Sequence, residues 1–457
     1  MRRIFLSIGS TLALMLLNLP EVVAQEVTAE EELVQMLHEA RPYHAVSPTM
    51  FDRLGWELPD AGTSVKALAD DAPGGAFDPR KLEDLDASKL GYQARWHEVR
   101  YELYGLEWDI PGLHMNPENP MPDMPTLVII NGGTSNWYES FVDPLNRPGV
   151  GQYLAQKIPV LLVSIPGNYR HGGWTESDYG DRRPGYLLDH DVSAEEAKVR
   201  NAIYTFQLVA VGIKKLVEEV TSGPVVLLGP ATEGENQFIL HGTDLKHRMQ
   251  GLSLGWGSGG TAGLDIIREV RGSRTADNYL DIWELDGRGA DYNAGSYLGP
   301  LNPVWNPDLS RLAIAGHWRA LEHRRMPHFK HVLQSMEHAA ADNLRDYVAS
   351  QIHEVLEDTD LDVSEEEVIA DLFATMRAPQ TGYKKMIWTV SRLNTQSWDE
   401  NPSEAREILV ANEFRKKNPG IPIRVLLFDV PMTKYGHIER PKQLAGGLLA
   451  ALRWLMQ

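Results

Sequence analysis

At 457 residues, 43 % of them hydrophobic, the chain is long enough for one large domain with insertions or for a few smaller ones, and this apolar content excludes disorder throughout. Its formal net charge of −19 argues against a nucleic-acid partner, because binding to phosphates requires a basic face. Anionic membrane surfaces are disfavoured for the same reason.

The N-terminus has the pattern of a secretory signal peptide. Arg2 and Arg3 form a positive region, an apolar stretch follows, and Val22 and Ala24 make a small-residue cleavage site. The pattern predicts removal of residues 1–24 and a secreted or periplasmic protein without membrane contact after cleavage; an uncleaved anchor is the alternative, for which the stretch is short. Since the chain has no cysteine, disulfides and thiolate metal sites are excluded, and a large core must supply the stability.

The first part of the mature chain predicts an irregular lead-in followed by a hairpin. Residues 25–92 are acidic and rich in proline, glycine and aspartate, which is typical of an irregular segment that wraps a domain. In RWHEVRYELYGLEWDI, the apolar residues Val99, Tyr101 and Leu103 alternate with charged ones. This period of two predicts a half-buried antiparallel strand, with a second strand ending near Ile110.

Continuous apolar runs follow, and they are typical of the buried strands of a parallel sheet. They lie at residues 125–133, 158–167, 223–230, 384–391 and 421–430 and in the stretch RMQGLSLGWG. Between two of these runs lies a helical segment for which Ser193 and Glu196 form a capping box. The alternation of strands and helices predicts an α/β fold, with a mostly parallel sheet flanked by helices.

One long segment interrupts this alternation. Residues 261–380 are charged and rich in histidine and tryptophan, and we predict helices there, one of them capped by Ser364 and Glu367. We interpret them as a large helical cap insertion over the carboxyl-terminal edge of the sheet. The core then comprises residues 93–260 and 381–457.

Three motifs come directly after predicted strands. In chain order they are IINGGTSNW (129–137), GPATEG (229–234) and FDVPMTKYGHIERP (428–441). Together with the mixed sheet and the late insertion, they resemble the α/β-hydrolase family of the carboxyl-ester hydrolase type, over roughly residues 93–457. The resemblance implies an esterase-like site built from an oxyanion hole, a nucleophile elbow and a histidine with its acid.

The first motif resembles the loop that contributes a backbone N–H to the oxyanion hole of this family. Gly132 and Gly133 suit that role, because a glycine N–H approaches a developing oxyanion without a Cβ in the way. Taken alone, the motif is more typical of an ordinary glycine-rich turn between a strand and a helix. The resemblance therefore decides its interpretation.

The second motif matches the position of the family's G-x-S-x-G elbow but contains no serine. Counted from Gly229, Ala231 takes the nucleophile position; counted back from Gly234, Thr232 does. We favour Ala231, because the strand-ending glycine is the better landmark. A methyl group cannot attack a carbonyl, so this register predicts impaired turnover, with the N–H of Thr232 still available to the oxyanion hole. A Thr232 nucleophile is the alternative, although its β-methyl crowds a strained turn. A plain turn in an unrelated doubly wound fold is the remaining possibility.

The third motif places His437 on a loop ahead of the last helix, where this family carries its catalytic imidazole. The acid of the family follows the preceding strand, which favours Asp399, with Glu400 as the alternate and Asp429 as a further possibility. An ionised carboxylate is needed there to hold the imidazole tautomer and to stabilise the imidazolium.

These expectations combine into an exported ester hydrolase that transfers an acyl group to water. Its partner is a small-molecule ester substrate or ligand, and no cofactor and no metal is implied. One alternative is a non-catalytic ligand-binding protein on a hydrolase scaffold, and another is a hydrolase with Thr232 as nucleophile. A third is an altered copy of an active enzyme, in which Ala231 replaces a serine. Substrate identity and oligomeric state are left open by the sequence.

Overall fold

The structure is a computed structural model, and it describes residues 28–47, 50–51, 90–131, 138–141, 148–164, 166, 193–203, 205–229, 234–254, 342–372, 384–391, 406–428 and 441–457. Its strands are β1 (His44–Val46), β2 (Tyr92–Leu103), β3 (Leu106–Pro117), β4 (Thr126–Asn131), β5 (Val160–Ser164), β6 (Val225–Gly229), β7 (Met249–Leu254), β8 (Met386–Ser391) and β9 (Ile423–Phe428). Its helices are α1 (Ala29–Leu37), α2 (Tyr138–Phe141), α3 (Val150–Ala155), α4 (Ala194–Ala202), α5 (Phe206–Val220), α6 (Gly234–His241), α7 (Asp342–Glu357), α8 (Glu365–Leu372), α9 (Arg406–Lys417) and α10 (Pro441–Met456), with a 3₁₀ turn at Asp244–His247.

The described strands form one sheet in the order β1-β9-β8-β7-β6-β4-β5-β3-β2. Reading along the sheet from β1 at one edge to the β4–β5 pair, each neighbouring pair of strands is parallel. At the other edge, β3 is antiparallel to both β5 and β2. The predicted α/β class, with a mostly parallel sheet flanked by helices, is confirmed.

Helices cover both faces of the sheet, and this explains why its strands are continuous apolar runs. Successive side chains of a strand point to opposite faces. In β4, Val128 and Ile130 belong to a first core with α4, α5, α6 and α9, whereas Leu127 and Ile129 belong to a second core with α1, α3 and α10. Because each face is buried under helices, no position in the strand favours a polar residue.

The predicted end of β3 near Ile110 is wrong, since the strand continues to Pro117. Pro111 and Gly112 look like a strand end in the sequence. However, β3 pairs with β5 beyond this point, and both Leu113 and Met115 are fully buried. Burial by a distant strand therefore overrides the local turn signal.

The predicted single helix after Ser193 is two helices, α4 and α5. The Ser193 hydroxyl accepts the Glu196 N–H at 3.0 Å, as a capping residue does. The Glu196 carboxylate, however, pairs with Arg200 at 2.7 Å. Thr205 begins the second helix by accepting the Leu208 N–H at 3.0 Å, so this hydroxyl marks the break.

The lead-in is less irregular than predicted, because residues 25–92 supply both a helix and a strand. A capping box at Thr28 begins α1, which packs on α10 and is joined to it by Arg453 and Glu30 at 2.9 Å. Strand β1 extends the sheet by pairing with β9. Residues 52–89 lie outside the described residues, as do residues 1–24 with the predicted signal peptide.

The described part of the predicted cap, residues 342–372, consists of α7 and α8 and matches the helical pattern. It packs against the β2–β3 hairpin, where an added Cβ on Gly105 would overlap the carbonyl oxygen of Asp362. The rest of residues 261–380 lies outside the described residues, so the cap and the domain boundaries stay predictions. Among the helices that the structure describes, none has the length and apolar character needed to cross a membrane.

Candidate active site

The strands that precede the three motifs end at one edge of the sheet. β4 and β6 are neighbours, as are β8 and β9, and all four are parallel. Their last residues are Asn131, Gly229, Ser391 and Phe428. The segments with the Gly-rich motif, the elbow motif, the predicted acid and the predicted histidine therefore all begin at the same carboxyl edge.

A topological switch point lies between β4 and β6. From β4 the chain passes to α3, whose Val150 and Leu154 pack in the second core. From β6 it passes to α6, whose Ile239 and Leu240 pack in the first core on the other face. Where two adjacent parallel strands send their connections to opposite faces, a crevice opens outside their carboxyl ends, and ligands of open α/β sheets bind there.

A buried strand and a helix flank the elbow motif in the chain. β6 is buried along its whole length, and residues 230–233 separate its last residue, Gly229, from the start of α6. A strand before the motif and a helix after it are the order of elements around a nucleophile elbow. α6 begins at Gly234, the last residue of the motif, so the positive end of the helix dipole lies at that residue.

The predicted site residues themselves lie outside the described residues. These are Gly132, Gly133, Ala231, Thr232, Asp399, Glu400, Asp429 and His437. What the structure places is the strand end from which each of their segments begins. The choice between Ala231 and Thr232, and the choice of the acid, stay predictions.

The β2–β3 hairpin projects past the carboxyl edge. Gly112 of β3 pairs with Val163 near the end of β5, and Leu106 lies roughly 20 Å further along the strand at a rise of about 3.3 Å per residue. The turn at Tyr104 and Gly105 has φ angles of 57° and 79°. Both values are in the left-handed region, which matches a two-residue hairpin turn and costs a tyrosine about 1 kcal/mol.

Hydrogen bonds of the Tyr104 hydroxyl offset this cost and join the hairpin tip to α5 and α8. The hydroxyl donates to Asp371 Oδ2 at 2.9 Å and lies 2.6 Å from Thr205 Oγ1. Burial raises the pKa of Tyr104, with Asp371 adding to the rise. Burial also raises the pKa of Asp371, and Glu367 adds to that rise, while the bond from Tyr104 opposes it. This cluster was not predicted, and its signal in the sequence is a Tyr-Gly pair between two strands.

The described histidines of the hairpin do not belong to the carboxyl edge. His114 is paired with Leu161 near the start of β5, and its ring centroid lies 6.2 Å from that of His97. Burial lowers the pKa of His114 to about 4, so its imidazole is neutral at pH 7. Within the described ranges, no group of three or more histidine, aspartate or glutamate side chains could hold a metal ion.

A hydrogen-bonded cluster involves α2 and α3, the two helices that follow the Gly-rich motif in the chain. The Gly149 N–H and the Gln152 amide both donate to the Phe141 carbonyl, at 2.8 and 2.5 Å. The Tyr92 hydroxyl donates to Gln152 Oε1 at 2.8 Å. These residues were not predicted either, because a glutamine in a short helix looks like a surface residue until the neighbouring elements are in place.

No protein-family model and no curated protein matches this sequence. Solved structures that resemble it include a proposed lipase from Acinetobacter baumannii, with 14 % identity, 82 % of this chain and 94 % of that chain covered, and a TM-score of 0.39. A haloalkane dehalogenase variant from Bradyrhizobium elkanii has 12 % identity, 79 % and 97 % coverage and a TM-score of 0.39. An N-acyl homoserine lactonase mutant has 12 % identity, 79 % and 97 % coverage and a TM-score of 0.38. These values are too low to assign residues or activity, so the fold description rests on strand order.

Proposed function

We propose that this protein is an exported hydrolase of the α/β-hydrolase type that binds a carboxylic ester in the crevice between β4 and β6. The observation that supports this most is the topological switch point. It has a glycine-rich motif after one strand and a strand–turn–helix motif after the other. In this arrangement, a substrate carbonyl faces the N–H groups of Gly132, Gly133 and Thr232.

The chemistry of such a site is acyl transfer to water. A hydroxyl at position 231 attacks the ester carbonyl while His437, oriented by Asp399, takes its proton. The alcohol leaves with that proton, and water then attacks the acyl group through the same histidine and releases the acid. The backbone N–H groups stabilise the oxyanion in both steps. With Ala231 in place, this chain binds the ester but turns it over poorly.

The absence of a serine at the elbow favours a second candidate function, a ligand-binding protein on a hydrolase scaffold. Such a protein retains the crevice and its oxyanion donors and binds esters or acids without releasing products. A hydrolase with Thr232 as nucleophile is the third candidate.

Substitution Ala231→Ser separates these candidates. We expect the variant to gain hydrolysis of an aryl ester and to react with a fluorophosphonate probe, whose fluoride the serine oxygen displaces. His437→Ala in the Ala231→Ser background is the control, and it should abolish both. If Ala231→Ser stays unreactive while melting at the temperature of the parent chain, the ester hydrolase proposal is wrong.

Substitution Thr232→Ala in the parent chain, which retains Ala231, tests the other register. Under our proposal it leaves any residual ester hydrolysis within a few-fold of the parent, because its N–H remains in place. Loss of a measurable rate would assign the nucleophile to Thr232 instead of position 231.

Export is part of the proposal and has its own test. Expression of the full chain in a bacterial host, followed by fractionation and mass spectrometry, should give a periplasmic protein that begins at Gln25. A protein retained in the membrane with its first residues intact would support the uncleaved anchor.

A further inference from the structure

The segment that contains the proposed oxyanion donors lies between two ends that the structure describes. It begins after Asn131, whose strand position is paired with Ser164 of β5, and residues 132–137 lead directly into α2. Fixing both ends of a short segment removes most of its conformational freedom. The accuracy with which α2 is held therefore limits how well the donors are placed.

The carbonyl of Phe141, at the end of α2, is held by two buried donors. The Gly149 N–H donates to it at 2.8 Å and the Gln152 side-chain amide at 2.5 Å. α2 also packs closely on this region, because a Cβ added to Gly149 would lie 2.5 Å from the Ser140 carbonyl oxygen. The short helix α2 is thus attached to the first turn of α3 by its own backbone.

Gln152 in turn is fixed by Tyr92. A carbonyl oxygen can only accept, so the amide nitrogen of Gln152 faces Phe141 and its Oε1 faces the Tyr92 hydroxyl, which donates at 2.8 Å. Gln152 and Tyr92 are both 0 % exposed, so water does not compete for these groups. Tyr92, Gln152 and Phe141 form a chain of hydrogen bonds that allows one amide orientation.

We propose that Gln152 and Tyr92 are positioning residues that hold α2 and thereby place the oxyanion donors Gly132 and Gly133. They act through the backbone of Phe141 and do not touch the substrate. This inference rests on the proposed function for its catalytic consequence, while the attachment of α2 is testable without any activity.

The test uses the double variant Tyr92→Phe/Gln152→Met. Removing Gln152 alone would leave a buried tyrosine hydroxyl without its acceptor, which destabilises the whole fold, whereas replacing both partners with apolar groups of similar shape is close to neutral. The Phe141 carbonyl keeps its bond from Gly149. The matched control is Gln156→Met, because Gln156 also donates to a backbone carbonyl, that of Leu90 at 3.2 Å, which does not belong to α2.

Two measurements follow. The first measurement is hydrogen exchange with the substitutions made in the parent chain. In peptides covering residues 130–152, the protected amides should exchange roughly fivefold faster in the double variant than in the parent. In Gln156→Met their exchange rate should be that of the parent. In the Ala231→Ser background, fluorophosphonate labelling should slow by about tenfold or more, at an unchanged melting temperature.

The outcomes separate the two proposals. Labelling and exchange at parental rates in a stably folded double variant overturn the inference. Equal effects in the double variant and in Gln156→Met also overturn it, since they indicate general loosening. If Ala231→Ser itself fails to label, the proposed function fails, and hydrogen exchange alone then decides whether Gln152 and Tyr92 hold α2.

Discussion

Replacing Tyr104 with phenylalanine removes the hydroxyl that joins the hairpin tip to α5 and α8, and we expect the loss of stability to depend on pH. A hydrogen bond to a charged group contributes about 1.5 to 3 kcal/mol and one to a neutral group about 1. Because Asp371 is only half-buried, solvent screening reduces the upper figure. We therefore expect Tyr104→Phe to lower the free energy of unfolding by about 2 kcal/mol at pH 7 and by about 1 kcal/mol at pH 4.

The sign follows from the protonation of Asp371. Burial raises its pKa in the folded state, and the Tyr104 hydroxyl opposes that rise. Without the hydroxyl, the pKa of Asp371 in the folded state rises further. The variant therefore loses most stability at pH values above that pKa, where the Asp371 carboxylate must be ionised. Below the unfolded value of about 3.9, the carboxyl is protonated in both states and the difference between the proteins shrinks.

The assay is urea unfolding of the parent and the variant at pH 4, 5.5 and 7. Tyr101→Phe is the matched control, because the Tyr101 hydroxyl donates to the Leu208 backbone carbonyl at 2.9 Å, and a carbonyl does not titrate. Its penalty should be the same at each pH. A pH-independent penalty for Tyr104→Phe, or an equal slope in the control, would refute the role of ionised Asp371.

Two further substitutions test the packing around the hairpin. Gly105→Ala should lower the free energy of unfolding by at least about 1 to 2 kcal/mol, because φ is 79° and the new Cβ meets the Asp362 carbonyl. The control is Gly223→Ala, where no atom lies within 4 Å of the added carbon. Its free energy of unfolding should stay within about 0.5 kcal/mol of the parent value in the same urea assay. Arg200→Met removes a side chain that is 8 % exposed and bound to a carboxylate, and should cost about 2 to 3 kcal/mol. The control is Lys214→Met, which breaks the more exposed ion pair between Lys214 and Glu218 in α5 and should cost under about 1 kcal/mol. Equal losses of stability in Arg200→Met and Lys214→Met would contradict the greater burial of Arg200.

The sheet could be predicted from the sequence because its helices cover both faces. In the run at residues 125–133, Leu127, Val128, Ile129 and Ile130 each belong to one of two cores, so the run lacks the alternation that a one-sided sheet shows. β4 occupies Thr126–Asn131 within that run. The first strand of the hairpin was predictable because β2 does alternate, with charged residues on its outer side.

The errors come from interactions between distant parts of the chain. β1 is three residues long and pairs only along β9, so no local pattern marks it. Pro111 lies inside β3 because pairing with β5 continues past it. The break before Thr205 had a signal, a threonine three residues before Leu208, but an apolar pattern on both sides obscured it. For β1 and β3, the partner that decides the structure lies outside any local window.

The same distinction applies to the candidate site. Position along the chain predicts which strand each motif follows, and parallel pairing then brings those strand ends to one edge. The residues that hold α2 could not be predicted, because the burial of Gln152 depends on Tyr92, from a strand far away in the sequence. The proposed crevice lies at the carboxyl ends of β4 and β6, which are set by strand order and not by the residue at position 231. Under our proposal, binding and chemistry are therefore separable, and a single oxygen atom, added by Ala231→Ser, decides between a binding protein and an enzyme.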